Sequence, residues 1–372
     1  MKTIDIAIVI GNSIFTGFGF EFVLLNYIKH KPEFVNLTVI QTDLLYYNTR
    51  NLEKNYIPQL NNFKMITIKT NKHGNTIFNM LSAYHKNKHL LEEYNIVYFP
   101  APFLSLPFKK NEKQIFVLGG HGVSTSKGVG RKLKLLLNTH IYKKINYYHQ
   151  LYAGEAVENG FLGSIFTVPN GIDTNVFYPL TCKINKNKFL FVGRLEESKG
   201  VKILVESWKK AEKYNQASLT IIGNGPLRNY IEENLKFNII YKHSITILEL
   251  ANIYRNSDYF LNPTMNDTFS MVTMEALSSG LFIIASKVLE KIYSDYKNNL
   301  NIEFVKPEIN EFSEQIRNVV ETPPSWDRGK QNEYINQNFN WEKIAEVFYD
   351  KIIKIWYEFN NKNFQSIDQK AF

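Results

Sequence analysis

Short apolar runs that close on glycine or proline turns, each followed by a stretch of helical period, recur along the chain. This alternation restricts its fold more than any other feature. The first run, Ile4–Ile10, is apolar and β-branched, as a strand buried on both faces must be, and only Asp5 interrupts it before Gly11. A glycine-containing loop over Gly11–Gly19 follows, and Glu21–His30 then sets Phe22, Leu25 and Ile28 at helical spacing. Leu37–Gln41, Met65–Ile68, Ile96–Phe99 and Ile115–Leu118 read as further strands. Strands alternating with helices predict βαβ units and a parallel sheet.

The second half repeats the pattern with cleaner boundaries. Phe189–Val192, Leu219–Ile222, Tyr259–Leu261 and Leu281–Ala285 read as strands, and Val201–Tyr214, a stretch near Leu227–Leu235 and Ser270–Ser279 as helices. Pro226 suits the first position of its helix. A chain of 372 residues exceeds one ordinary core. The expected fold class is therefore α/β, with two Rossmann-like doubly wound domains facing across a cleft. The turn-forming Val168-Pro169-Asn170-Gly171-Ile172-Asp173 marks the junction. The expected division is 1–168, 169–340, and 341–372, a last helix over Trp341–Phe359 packing back toward the first domain, then a polar tail.

Charge separates the halves. Residues 1–168 hold 19 Lys and Arg against 10 Asp and Glu, while residues 169–372 hold 25 of each, so the first half carries the whole net charge of +9. Such asymmetry points to an anionic partner. Within 127–144, the cations Lys127, Arg131, Lys132, Lys134, Lys143 and Lys144 alternate with leucines, isoleucine and tyrosine, a pattern suited to an anionic membrane surface or to a solvated helix face. No nucleic-acid motif accompanies the charge, so nucleic acid is not an expected partner. Cys182 is the single cysteine, which rules out an internal disulfide and favours a reducing, cytoplasmic location, with the inner face of the cell membrane as the place for peripheral contact. No run of about 18 apolar residues is present.

Four landmarks follow one another through the second half: Pro169-Asn170-Gly171-Ile172-Asp173; Phe191-Val192-Gly193-Arg194-Leu195 with Lys199-Gly200; Ile222-Gly223-Asn224-Gly225-Pro226-Leu227; and Asn262-Pro263-Thr264 with Asp267-Thr268-Phe269-Ser270 and Met274-Glu275-Ala276-Leu277. Alone, each string is common. In this order and spacing they resemble the donor domain of glycosyltransferase family 4, a group of retaining enzymes with the GT-B fold. The resemblance covers about Val168–Ala285 most strongly and extends more faintly over the first half and the Trp341 helix.

Independent of that resemblance, Arg194 and Lys199 sit just past a strand end, where cations can neutralise a departing diphosphate. Glu275 has the two acceptor oxygens that a ribose diol needs. Gly193, Gly223 and Gly225 serve either close approach of the backbone to a nucleotide or a tight turn alone. Backbone amides at Ser270, Met271 and Val272 suit phosphate at a helix start.

The resemblance implies that Arg194 and Lys199 contact the diphosphate and Glu275 the ribose. It also implies that Thr268, Phe269, Ser270, Met271 and Val272 line the donor, and that Gly17 and Gly19 lie near phosphate. His121, in Gly119-Gly120-His121-Gly122, would face the donor sugar. Where the family has a glutamate near the sugar this chain has Asp267, and Thr268 and Ser270 replace glycines. The implied activity is transfer of a sugar from a nucleoside diphosphate sugar to an acceptor hydroxyl, with retention and with the leaving phosphate helping to deprotonate the acceptor. The basic half favours a lipid-linked or membrane-proximal glycan. No Asp-x-Asp motif occurs and no histidines pair at metal-ligand spacing, so neither metal nor other cofactor is expected. Two other readings are a sugar-nucleotide epimerase of the same architecture and a non-catalytic sugar-nucleotide or glycan-binding module.

Overall fold

A computed structural model describes residues 3–11, 19–44, 63–71, 76–120, 139–180, 187–211 and 217–368. The chain forms two compact units, Met1–Gly171 with Trp341–Phe372, and Ile172–Asn340.

In the first unit the strands are β1 (Ile4–Val9), β2 (Val35–Thr42), β3 (Phe63–Ile68), β4 (Ile96–Phe99), β5 (Ile115–Gly119), β6 (Tyr147–Gln150) and β7 (Ser164–Thr167). They form one sheet in the order β3-β2-β1-β4-β5-β6-β7, with every neighbouring pair parallel. Helices α1 (Gly19–Lys29), α2 (Thr76–Lys86) and α3 (Glu155–Glu158) connect them. Two strands escape the sequence pattern. Tyr147-Tyr148-His149-Gln150 has no aliphatic residue, and in β7 only Phe166 is buried. His149 is fully buried beside Phe166, their rings stacked with centroids 5.0 Å apart. Its Nε2 lies 2.8 Å from the Val168 carbonyl and its Nδ1 2.8 Å from the Tyr98 hydroxyl. A carbonyl only accepts, so Nε2 carries the proton and Nδ1 accepts from Tyr98. Burial pushes the His149 pKa down to about 4.

The second unit is built from β8 (Lys188–Val192), β9 (Ser218–Ile222), β10 (Ile239–Lys242), β11 (Tyr259–Asn262), β12 (Phe282–Ser286) and β13 (Ile302–Val305). Its sheet, also all parallel, runs β10-β9-β8-β11-β12-β13. The helices are α4 (Val201–Ala211), α5 (Arg228–Glu232), α6 (Ile247–Arg255), α7 (Met271–Ser278), α8 (Glu290–Tyr293), α9 (Ile309–Glu321) and α10 (Arg328–Phe339). The core between sheet and helices gathers Phe189, Leu219, Ile221 and Leu261 from strands with Leu204, Trp208, Phe312 and Ile316 from helices. The expected helix near 227–235 shrinks to Arg228–Glu232, and Pro226 stands ahead of it instead of at its first position. Of Val201–Tyr214, residues 201–211 are helical and 212–216 lie outside the described residues.

The last helix, α11 (Trp341–Asp368), returns to the first unit. Ile344, Phe348, Ile352, Ile355 and Trp356 are buried along one stripe of it. Phe348 stacks on Tyr27 at 4.1 Å, and the Tyr349 hydroxyl donates to the Tyr27 carbonyl at 2.8 Å. A Cβ at Gly171 would lie 2.6 Å from the Trp341 ring, so glycine is what lets the chain cross there. Among the described residues no helix is long and apolar enough to cross a membrane.

Candidate functional site

In each sheet the strand order reverses beside the first strand, between β1 and β4 and between β8 and β11. Ligands of open α/β sheets bind outside the carboxyl ends of the strands at such a reversal. In the second unit, β8 runs into Gly193-Arg194 and a 3₁₀ turn over Glu197–Lys199, while β11 runs into Pro263–Asp267 and α7. With Gly223-Asn224-Gly225 after β9, three of the four landmarks lie at the carboxyl ends of strands in one sheet.

These loops are sewn together through their backbones. Leu195 N–H donates to Asn224 O, Leu227 N–H to Leu195 O, and Met265 N–H to Ser198 O, each at 2.9 Å. The Thr264 hydroxyl also reaches Ser198 O, at 3.2 Å. Close approach explains the glycines. Gly223 has φ +152°, and a Cβ there would fall 1.8 Å from the Gly193 carbonyl oxygen. Gly200, at φ +69°, would set a Cβ 2.1 Å from the Pro263 oxygen. In both places a side chain would push apart the loops that carry the charged residues.

The stitching delivers Lys199 to Asp267. Lys199 Nζ lies 2.9 Å from Asp267 Oδ2, with side chains 24% and 17% exposed, and Asp267 Oδ1 accepts from Thr268 N–H at 2.9 Å. The acid that replaces the family's glutamate therefore faces the nearby lysine. Arg194 is different. Its side chain is 71% exposed and meets Glu196 at 3.0 Å, a surface pair of small energy. Its guanidinium keeps the freedom to turn toward a ligand.

Helix α7 begins one residue later than the sequence pattern predicts and ends one earlier. Its start is fixed by a buried polar triad. Asn262 Nδ2 donates to Ser270 Oγ and to Thr273 Oγ1, each at 2.8 Å, and Thr273 Oγ1 donates to Ser270 Oγ at 2.9 Å. Tyr293 Oη donates to the Ser270 carbonyl at 3.1 Å. Ser270 thus spends its hydroxyl on holding the turn. The amides of Met271 and Val272 occupy the first turn, where a helix leaves its N–H groups without helical partners. Phe269 is buried, and Thr268 is half-buried. One turn further on, Glu275 accepts a hydrogen bond from the Tyr254 hydroxyl at 3.0 Å.

Gly19 opens α1. His121 and Gly17 lie outside the described residues, as do Lys127, Arg131, Lys132 and Lys134. Lys143 is exposed, but Lys144 does not belong to an outward basic face. Its ammonium donates to the carbonyls of Ser105 and Phe108, the latter at 3.0 Å, capping a 3₁₀ turn, and burial lowers its pKa to about 8. Among the described residues no three His, Cys, Asp or Glu gather as a metal site.

Thr273, Tyr293 and Tyr254 support the site without a signal in the sequence pattern, and Asn262 stands there only as part of the fourth landmark. Asn262 was visible as a polar residue ending an apolar strand. Tyr254 lies on α6, a stretch for which no helix was expected from the sequence.

Two parallel six- and seven-stranded α/β sheets of this order make the GT-B architecture. That fold is shared with sucrose-phosphate synthase from Thermosynechococcus elongatus, which superposes with a TM-score of 0.74 over 95% of this chain and 100% of that chain, at 17% identity. More particularly, residues 186–322 match the family model of the glycosyl transferases group 1, so the resemblance seen in the sequence holds. The uncharacterized glycosyltransferase MJ1607 of Methanocaldococcus jannaschii is 29% identical over 110 residues, 28% of either chain. The UDP-Gal:alpha-D-GlcNAc-diphosphoundecaprenol alpha-1,3-galactosyltransferase of Escherichia coli is 28% identical over 142 residues, 33% of this chain and 37% of that one. The matches span between 28% and 55% of the curated relatives' own lengths.

Proposed function

We propose that the chain is a retaining glycosyltransferase that moves a sugar from a nucleoside diphosphate sugar to an acceptor hydroxyl. One observation carries this reading. The loops after β8 and β11, stitched at the strand-order reversal, hold Lys199 and Asp267 in contact beside the start of α7, within the stretch matched by the family model.

In this reading the diphosphate takes Lys199 and Arg194 as counter-cations and the first amides of α7 as hydrogen-bond donors. As the sugar–phosphate bond breaks, negative charge grows on the leaving oxygen. Cations fixed beforehand stabilise that charge without reorganising. Glu275 accepts from the ribose diol, and Asp267 contacts the sugar when an incoming anion draws Lys199 toward phosphate. His121 keeps its sequence-based assignment to the donor sugar. No metal is assigned a role, because the two cations meet the charge.

The Escherichia coli relative is named for a UDP-sugar donor and a diphosphoundecaprenol-linked acceptor, which favours the same classes here. The relatives reported above are not named as epimerases or as binding modules. A membrane-proximal acceptor agrees with the basic first half. The cations 127–143 would supply about 1 kcal/mol each near an anionic surface, with Lys144 left out of the count. Neutralising Lys132, Lys134 and Lys143 should then move the protein from anionic vesicles to the supernatant, and unchanged partitioning would remove the membrane from the proposal.

Incubation with a panel of nucleotide sugars and membrane lipid extract tests the activity. Acceptor-dependent release of nucleoside diphosphate is expected, whereas an altered free donor means epimerisation and binding without turnover means a module. Arg194→Ala and Lys199→Ala should each lower turnover about 10²-fold, the usual cost of losing a contact to transition-state charge. Near-normal turnover in both would refute the assignment.

A further inference from the structure

We propose that Tyr254 is a positioning residue that sets the Glu275 carboxylate for the ribose diol, an inference that rests on the reading of Glu275 as the ribose acceptor. Tyr254 lies on α6 and Glu275 on α7, so their meeting depends on how the two helices pack. The Tyr254 side chain is fully buried, set edge-on to Phe177 at 5.6 Å and tilted against Phe260 at 5.9 Å. A fully buried ring packed against two other aromatic rings has little freedom to swing, so its hydroxyl is a fixed point.

That hydroxyl has one proton and two acceptors within reach: Glu275 Oε2 at 3.0 Å and the Val272 carbonyl at 3.2 Å. The charged oxygen makes the stronger bond, so the proton goes to Glu275. Burial first, then the Glu275 charge, drives the Tyr254 pKa well above its ordinary value, which keeps the hydroxyl a donor at any working pH. With Oε2 tethered, the carboxylate plane is fixed about its terminal torsion, a bond otherwise broad in its preference. Its other oxygen is presented in one direction. The Val272 carbonyl gives the phenol an alternative partner one turn away. Ribose binding can therefore draw on Glu275 without stranding a buried hydroxyl.

The test uses the full chain and separates ribose recognition from fold. Calorimetric titration with UDP, GDP and ADP first establishes which nucleoside diphosphate binds, and its 2′,3′-dideoxy counterpart is then compared. Tyr254→Phe should weaken the ribonucleotide about tenfold, because an untethered Glu275 carboxylate must be ordered when the diol binds. It should leave the dideoxy nucleotide unchanged within about twofold, and lower the melting temperature by only a few degrees. Glu275→Gln should show the same selectivity, and the double variant should bind no worse than Glu275→Gln alone. Equal weakening of both nucleotides, or none of either, overturns the role of Tyr254 while the diphosphate site stands. If the unaltered protein binds none of the three diphosphates, the donor-site reading itself fails and this inference goes with it.

Discussion

Asp267→Asn tests whether Lys199 is the anchor for a diphosphate. The Asp267 carboxylate is 2.9 Å from Lys199 Nζ, and both side chains are about four-fifths shielded. A phosphate reaching the far side of the ammonium would find the carboxylate charge roughly 6 Å away, two contact lengths. At an effective dielectric of about 20, unit charges at that distance repel by about 3 kcal/mol. Solvent and salt reaching the partly open pair halve this to ~1.4 kcal/mol, a factor of about ten in binding.

The asparagine is nearly isosteric and still accepts the Thr268 N–H that Asp267 Oδ1 holds at 2.9 Å, so the turn should survive. Titration calorimetry with UDP, which lacks the transferred sugar, leaves the diphosphate as the group whose binding residue 267 can alter. About tenfold tighter UDP binding is expected in the variant, with the gap narrowing as salt is raised. Sugar transfer should slow in the same variant, because the proposed sugar contact is lost. Equal or weaker UDP binding by Asp267→Asn would show that the diphosphate does not meet Lys199, and the site would have to be drawn elsewhere.

Two further outcomes follow from the geometry. Burial holds the folded-state pKa of His149 near 4 against 6.5 in the unfolded chain, so the unfolded chain alone takes up a proton between these values and stability is lost as pH falls from 6.5 to 4. The loss from this one residue is about 3 kcal/mol. The stability gap between the unaltered protein and His149→Gln, from urea unfolding at pH 7 and pH 4.5, should narrow at the lower pH, and a gap independent of pH would refute the buried neutral imidazole. Gly223→Ala would place its methyl 1.8 Å from the Gly193 oxygen, and the loops must part. It should cost about 1–3 kcal/mol and weaken UDP binding, whereas retention of both would mean that the two loops are not held in contact.

The expectations fared unevenly, for physical reasons. Strands β1, β4, β5, β8, β9, β11 and β12 were legible because central parallel strands are apolar on both faces and carry their burial in their composition. Strands β6, β7, β10 and β13 were not, and β7, with only Phe166 buried, ends its own sheet. β10 and β13 lie at the edges of their sheet, and β6 is filled by aromatics and a histidine whose neighbours satisfy its ring nitrogens. Helices α9 and α10 are themselves rich in asparagine, glutamine and glutamate, and no landmark drew attention to them. In the basic segment, Lys143 and Lys144 are adjacent and identical in type, and only packing turned one outward and the other onto the carbonyls of Ser105 and Phe108.

The sequence by itself determined the two-sheet α/β organisation and the loops that end its strands. Hydrophobic period and turn residues are local properties, and the chain writes them directly. It also marked Arg194, Lys199 and Asp267 in those loops, and Glu275 on the helix that follows, as the candidate charged residues. Only the tertiary structure decided which charges meet. Lys199 and Asp267 are 68 residues apart in sequence and 2.9 Å apart in space, and Tyr254 reaches Glu275 across two helices. Pairing between distant side chains depends on strand order and helix packing, and a parallel sheet whose order reverses beside β8 is what makes them neighbours.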